Sequence, residues 1–312
     1  MNKQTPIPPE GSNDDPRGIV LPDGTQVTAT PDRTRVKLRK EEDENYIPVI
    51  IKRSDDTGRH PDDALENAIE EGVEQLCRPV ISLFLSAIAG GLIVGFSAMA
   101  VAVVLTATLE LQTHAIVARI ATALVYPLGF IVCILSGAQL FTEHTATAMY
   151  PVLDGKAKIF QLLRLWAVVI IGNLLGAFCS AFLLYLAREV IGAEAGFTEI
   201  GYHLTHFSNG SLFISSVLAG WLMATAAWLV ASTSQGQARI TVIFVVTFLI
   251  GLGGLHHSIA GSVEMFAAVF YDSQFTIPAA ARFISIALSG NVVGGVFFVA
   301  LLNYAYIRRT NL

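Results

Sequence analysis

Six long apolar runs, at about 80–106, 116–139, 162–187, 212–231, 240–268 and 283–307, dominate the chain after residue 79. Each supplies the ~20 apolar residues that a helix needs to cross the hydrocarbon core of a bilayer. The pattern therefore predicts six membrane-spanning helices. Ahead of them, DDALENAIEEGVEQL sets Leu65, Ile69, Val73 and Leu76 at helical spacing with charges on the other face. That is the pattern of an amphipathic helix lying under a membrane, predicted over 61–78. Residues 1–60 show no such periodicity. They are rich in Pro, Gly and Asp and run a basic block, RTRVKLRK (33–40), straight into EEDE (41–44). A charged, largely disordered tail is the expectation there. The predicted organisation is tail 1–60, amphipathic helix 61–78, membrane domain 79–307 and a short end at 308–312.

Composition agrees. At 312 residues, 53% hydrophobic and 14% charged, the chain is too apolar for an ordinary soluble protein of its size. Residues 1–78 hold 11 of the 20 Lys/Arg and 17 of the 25 Asp/Glu, so the net charge of −5 arises in the tail. It carries no information about what the membrane domain attracts, and nothing in it suggests nucleic acid. The start lacks a basic region followed by an apolar core, so no cleavable signal peptide is expected. Cys77, Cys133 and Cys179 are too scattered for a metal site and read as inert thiols. In the short connections, Arg78, Lys156, Lys158, Arg239, Arg308 and Arg309 fall on one side, against Arg119 and Arg188 on the other. The excess of positive charge predicts cytoplasmic termini.

Two further patterns change the picture. RLWAVVIIGNLLGA (164–177) and RFISIALSGNVVGG (282–295) share Arg, seven residues, Gly-Asn, two aliphatics and Gly. They open the third and sixth runs, which predicts two three-helix halves. An odd number of crossings per half makes the repeat inverted, and the small residues four apart predict close helix packing. In the second run LGFIVCILSGA meets QLFTEHT, and in the fifth TFLIGLGGL meets HHSIAGS. Ionisable groups and irregular backbone at membrane depth are tolerated only where they are buried in protein or line a cavity. Both spans are therefore expected to break at an interior site.

GAQLFTEHT, GNLLGA and HHSIAGS, in that order, resemble the formate/nitrite transporter family over about residues 80–307, and QLFTEHTATAMYPV, RLWAVVIIGN and GSVEMF resemble its YfdC-type branch more specifically. The resemblance implies an all-α, aquaporin-like protomer of six helices in two inverted repeats. It also implies a homopentamer with one pore per protomer in a bacterial plasma (inner) membrane, no enzymatic activity and no cofactor or metal. Carried onto this chain, the pore histidine is His257 and its companion threonine Thr142, beside the constriction residues Leu140 and Phe141. Gate residues fall on Tyr126, Phe130 and Ile250. The family's lysine ahead of the third-span Gly-Asn is Arg164 here, its glutamate before the histidine is His256, and its fourth-span asparagine is Gly220. Glu143 is an added carboxylate that can pair with Arg164 and reads either as a loop anchor or as a selectivity element, with Arg164 and His256 as the other candidates for selectivity or charge.

The chemistry gives these residues a purpose. A small anion stripped of water in an apolar pore is very costly. A basic group can offset that cost, or the anion can take a proton and cross as the neutral acid. Histidine, with a reference pKa of about 6.5, suits proton exchange near neutral pH, while an arginine cannot release its proton. Consecutive residues on a helix point about 100° apart, so His256 and His257 are not expected to face one pore. His256 then reads as a packing residue, Arg282 as an interfacial anchor, Glu264 as a vestibule candidate, and His203 and His206 as exposed. Three readings stay open: a pore for small monovalent anions of weak acids, a water or neutral-solute pore, and a membrane-anchored regulatory protein with a vestigial pore.

Overall fold

A computed structural model describes residues 61–233 and 236–309, together with the backbone of two short strands before them. The expectations for the tail 1–60, the basic block 33–40 included, lie outside the described residues. The chain divides into two compact units, Met1–Thr57 and Gly58–Leu312. In the first, β1 (Ile19–Val20) pairs antiparallel with β2 (Gln26–Val27). The described elements of the second are all helices: α1 Pro61–Cys77, α2 Val80–Glu110, α3 Ala115–Val125, α4 Pro127–Leu135, α5 Phe141–Leu153, α6 Ile159–Leu186 and α7 Arg188–Ile191 come first. Then follow α8 Glu194–Thr205, α9 Asn209–Ala231, α10 Gly236–Gly253, α11 Ser258–Tyr271, α12 Ile277–Gly295, a π-helical turn Val296–Leu301 and α13 Leu302–Arg309.

Among the described residues, six helical segments are long and apolar enough to cross a membrane: α2, α3–α4, α6, α9, α10 and the run from α12 to Arg308. Large apolar side chains such as Leu85, Ile171, Leu183 and Phe297 are exposed on them, as suits helices facing lipid. The second and fifth runs each divide in two at their polar stretches. The long helix ends at Leu135 or Gly253, and QLFTEHT and HHSIAGS each lead into a separate helix, α5 of 13 residues and α11 of 14. At 1.5 Å per residue these reach roughly 20 Å, too short to cross.

The two interruptions are built alike. Gly137 (φ 70°) and Gly254 (φ 59°) take the left-handed conformation that costs a glycine least. Ala138 N–H then bonds Cys133 O at 3.3 Å, and Leu255 N–H bonds Ile250 O at 3.0 Å, each closing its helix in a Schellman-type turn. An asparagine secures each interruption. Asn173 Oδ1 accepts Phe141 N–H at 2.9 Å, and its Nδ2 donates to Ala87 O at 2.6 Å and Gln139 O at 2.8 Å. Asn291 Oδ1 accepts Ser258 N–H at 2.8 Å, and its Nδ2 donates to Ser216 O at 2.7 Å and His256 O at 3.2 Å. The glycines beside them serve packing as expected. A Cβ on Gly176 would strike the Ile88 carbonyl oxygen, and one on Gly294 that of Val217.

These anchors set the direction of the short helices. Helix α5 runs from the middle of α6 to the end of the bundle that holds α1 and α13. There Arg308 meets Asp154 at 2.8 Å and Glu66 at 2.9 Å, and Lys156 meets Asp154 at 3.0 Å. Helix α11 runs from the middle of α12 to the opposite end, where Tyr271 Oη donates to Leu184 O at 3.1 Å. Their N-termini meet inside the protein.

Candidate functional site

At that meeting point Thr142 Oγ1 and His257 Nε2 lie 2.6 Å apart, both side chains buried. His257 is the N-cap of α11, and its Nδ1 accepts Ala260 N–H at 3.1 Å. With Nδ1 an acceptor, the neutral ring carries its proton on Nε2 and donates it to the Thr142 oxygen. The hydroxyl proton of Thr142 is then left to donate to something else. Two helix N-termini aim here, each with the partial positive charge of unpaired N–H groups. The walls are apolar. The Phe130 ring meets His257 edge-on at 5.0 Å and packs on Tyr126 at 5.2 Å, while Leu140 and Ile250 are fully buried in the same core. Phe141 points aside, edge-on to Trp166 at 6.0 Å. The arrangement offers a small anion hydrogen-bond donors and partial positive charge in apolar surroundings.

Several expectations are corrected around this centre. His256 and His257 are not on a helix; both belong to the extended linker ahead of α11. They diverge because alternate residues of extended chain face opposite ways. His256 binds Ser215 Oγ through Nδ1 at 2.8 Å and stacks on His203, with centroids 5.1 Å apart. His203 is therefore not exposed: it is half-buried, and Gly254 O lies 3.1 Å from its Nε2. Arg164 does not pair with Glu143. It is committed to Leu76 O at 2.6 Å, capping the last turn of α1, as Arg282 caps α8 through Thr205 O at 3.2 Å and Phe207 O at 2.7 Å. Gly220 lets α9 touch the Asn291 backbone.

Glu143 lies one residue beyond Thr142, in the first turn of α5, where the helix dipole favours an acid. With Glu71, His144, Thr147 and Arg239 it lines a cavity of about 40 Å3. Its Oε2 stands 3.9 Å from His144 Nδ1, and His144 Nε2 stands 3.9 Å from Glu71. Neither distance is a hydrogen bond. Among the described residues, no hydrogen bond reaches Glu143 Oε2 or Arg239 Nε, both buried.

The model of the formate/nitrite transporter family matches residues 62–305. The chain belongs to that family. It is 32% identical over 284 residues to the inner membrane protein YfdC of Escherichia coli, covering 88% of this chain and 87% of that one. Two solved structures share its fold. An FNT family ion channel superposes with a TM-score of 0.70 at 19% identity, over 78% of this chain and 98% of the other. A pentameric formate channel with formate bound superposes with a TM-score of 0.63 at 22% identity, over 73% and 97%. The family's members are channels and transporters, and this chain is a multi-pass membrane protein.

Sequence reasoning on this family member missed the environment of Glu143. Glu71 looked like one more charge on the polar face of α1, and Arg239 counted only toward loop charge. Asn173 and Asn291 were in view as repeat positions, but their service to the two interruptions was not. The signal was present in the spacing: each asparagine follows a polar stretch by about 34 residues, the length of a short helix out and half of a long helix back.

Proposed function

We propose that this protein is a pore for small monovalent anions of weak acids, formate- or nitrite-like, working as a homopentamer in a bacterial plasma membrane with both termini cytoplasmic. The observation that carries the reading is the Thr142–His257 pair set between two converging helix N-termini. The matching hydrogen bonds of Asn173 and Asn291 support an inverted repeat, with α5 and α11 as corresponding members. The basic residues at the end holding α1 and α13 support the orientation.

In this reading the anion enters past Tyr126, Phe130 and Ile250 and accepts the Thr142 hydroxyl proton as a hydrogen bond. His257, by donating to the same oxygen, makes that hydroxyl a better donor. When His257 takes a second proton, on Nδ1, the Ala260 cap breaks at a cost of about 1 kcal/mol. The imidazolium then supplies a proton through Nε2 and Thr142, and the substrate leaves past Leu140 and Phe141 as the neutral acid.

Flux of formate and nitrite into proteoliposomes tests this. Wild type is expected to carry both, faster in acid. His257→Asn, which keeps a cap and a polar group but cannot relay a proton, is expected to lose about a hundredfold at neutral pH. Wild-type protein that passes water or a neutral solute but no anion at any pH would overturn the proposal.

A further inference from the structure

Resting on that reading, we infer that the cavity between α1, α5, α9 and α10 is a second substrate station, which holds the undissociated acid and turns away anions that cannot be protonated. About 40 Å3 of this cavity is open to the centre of a water-sized molecule, so it admits a small acid such as formic or nitrous acid.

The two atoms left without hydrogen bonds in this cavity are complementary to such an acid. Glu143 Oε2 is an acceptor and Arg239 Nε–H a donor, both buried, and Glu143 as a whole is 9% exposed. An undissociated acid offers one O–H donor and one carbonyl or nitroso acceptor. It therefore offers each atom the kind of partner it lacks, whereas its anion offers an acceptor only to the arginine. The charged and titratable groups that face Glu143 are His144 on its own helix, Glu71 from α1, Arg239 from α10 and the Cys133 thiol from α4. Two carboxyl groups and one guanidinium thus border the space, which disfavours a bare anion relative to the neutral acid.

Release from this station balances simply. The acid's O–H proton moves to Glu143, the anion departs to the aqueous side, and the Glu143 carboxyl then gives the proton to water. One proton accompanies each anion.

The experiment compares formate and nitrate in proteoliposomes, with internal pH followed by a trapped dye, for wild type, Glu143→Gln, Glu143→Asp and Arg239→Lys, each checked for oligomer size. Wild type is expected to move one proton per formate and to exclude nitrate. Glu143→Gln should raise the nitrate-to-formate flux ratio at least about tenfold, the effect of removing one close charge near an interface, while His257 still supplies one proton per formate. Glu143→Asp should still exclude nitrate. Arg239→Lys, which keeps the charge but loses the Nε donor, should raise the half-saturating formate concentration. A correctly assembled Glu143→Gln that still excludes nitrate would overturn this inference while leaving the weak-acid pore standing. Absence of formate flux in wild type would overturn both.

Discussion

Replacing Asn291 by alanine tests the construction of the site itself. The side chain makes three hydrogen bonds, to Ser258 N–H, Ser216 O and His256 O. Ser216 lies within α9, and its carbonyl keeps its helical acceptor role. The other two groups belong to the buried linker that carries His257, and they lose a bond there. A buried polar group left unpaired costs about 1–3 kcal/mol, so two cost roughly 2–6 kcal/mol, and about 3 kcal/mol is expected once the linker relaxes. For a chain of this size each kcal/mol moves the thermal midpoint by roughly 2–4 °C, giving a fall of about 6–12 °C. Asn173→Ala should fall as far, because it too leaves two linker groups, Phe141 N–H and Gln139 O, without a partner. Thermal unfolding of the detergent-solubilised protein, read by loss of the size-exclusion peak, is the assay. Asn303→Ala is the control, since it removes a single 3.3 Å bond to Tyr150 Oη, worth about 1 kcal/mol. Should either Asn173→Ala or Asn291→Ala shift the midpoint no further than Asn303→Ala, the asparagines are not what holds the interruptions.

The glycines beside those asparagines are expected to be as intolerant: Gly176→Ala and Gly294→Ala each push a methyl group into a carbonyl of the facing helix, and a loss of about 1–3 kcal/mol should appear in the same unfolding assay. At the end holding α1 and α13, burial works to raise the Asp154 carboxyl, but hydrogen bonds from Lys156 and Arg308 outweigh it and hold Asp154 below the usual carboxylate range. Its contribution to stability is then fully present above the ordinary value of about 3.9 and disappears as pH falls through the depressed one. Asp154→Asn should therefore be less stable than wild type at neutral pH, and the gap should close in strong acid. A gap of constant size across that range would show that the ion pairs contribute nothing.

Much of the architecture follows from local rules that a sequence exposes directly. Six runs of sufficient length and apolarity give six spans because a bilayer leaves a backbone few alternatives to helix. The amphipathic spacing of Leu65, Ile69 and Leu76 gives α1, with all three side chains buried. The Gly-Asn repeat marks where helices meet closely. The family motifs locate Thr142 and His257, which the structure sets 2.6 Å apart although 115 residues separate them.

What local rules cannot supply is the direction in which a polar side chain points once the helices have packed. The apolar pattern shows the second and fifth runs meeting polar stretches but not how the chain is held there; the left-handed glycines and the Asn173 and Asn291 bonds hold it. Glu143 and Arg164 are 21 residues apart and of opposite charge, so pairing was a reasonable expectation. The fold instead gives Arg164 to the end of α1 and Glu143 to a cavity completed by α1 and α10. Those assignments depend on contacts between segments far apart in the chain, with energies set by burial and geometry and not by residue type. The sequence by itself therefore determined that there are six long apolar runs and that Thr142 and His257 are the residues to look for at their centre, while the surroundings of Glu143, His256 and Arg164 were decided only when the helices packed.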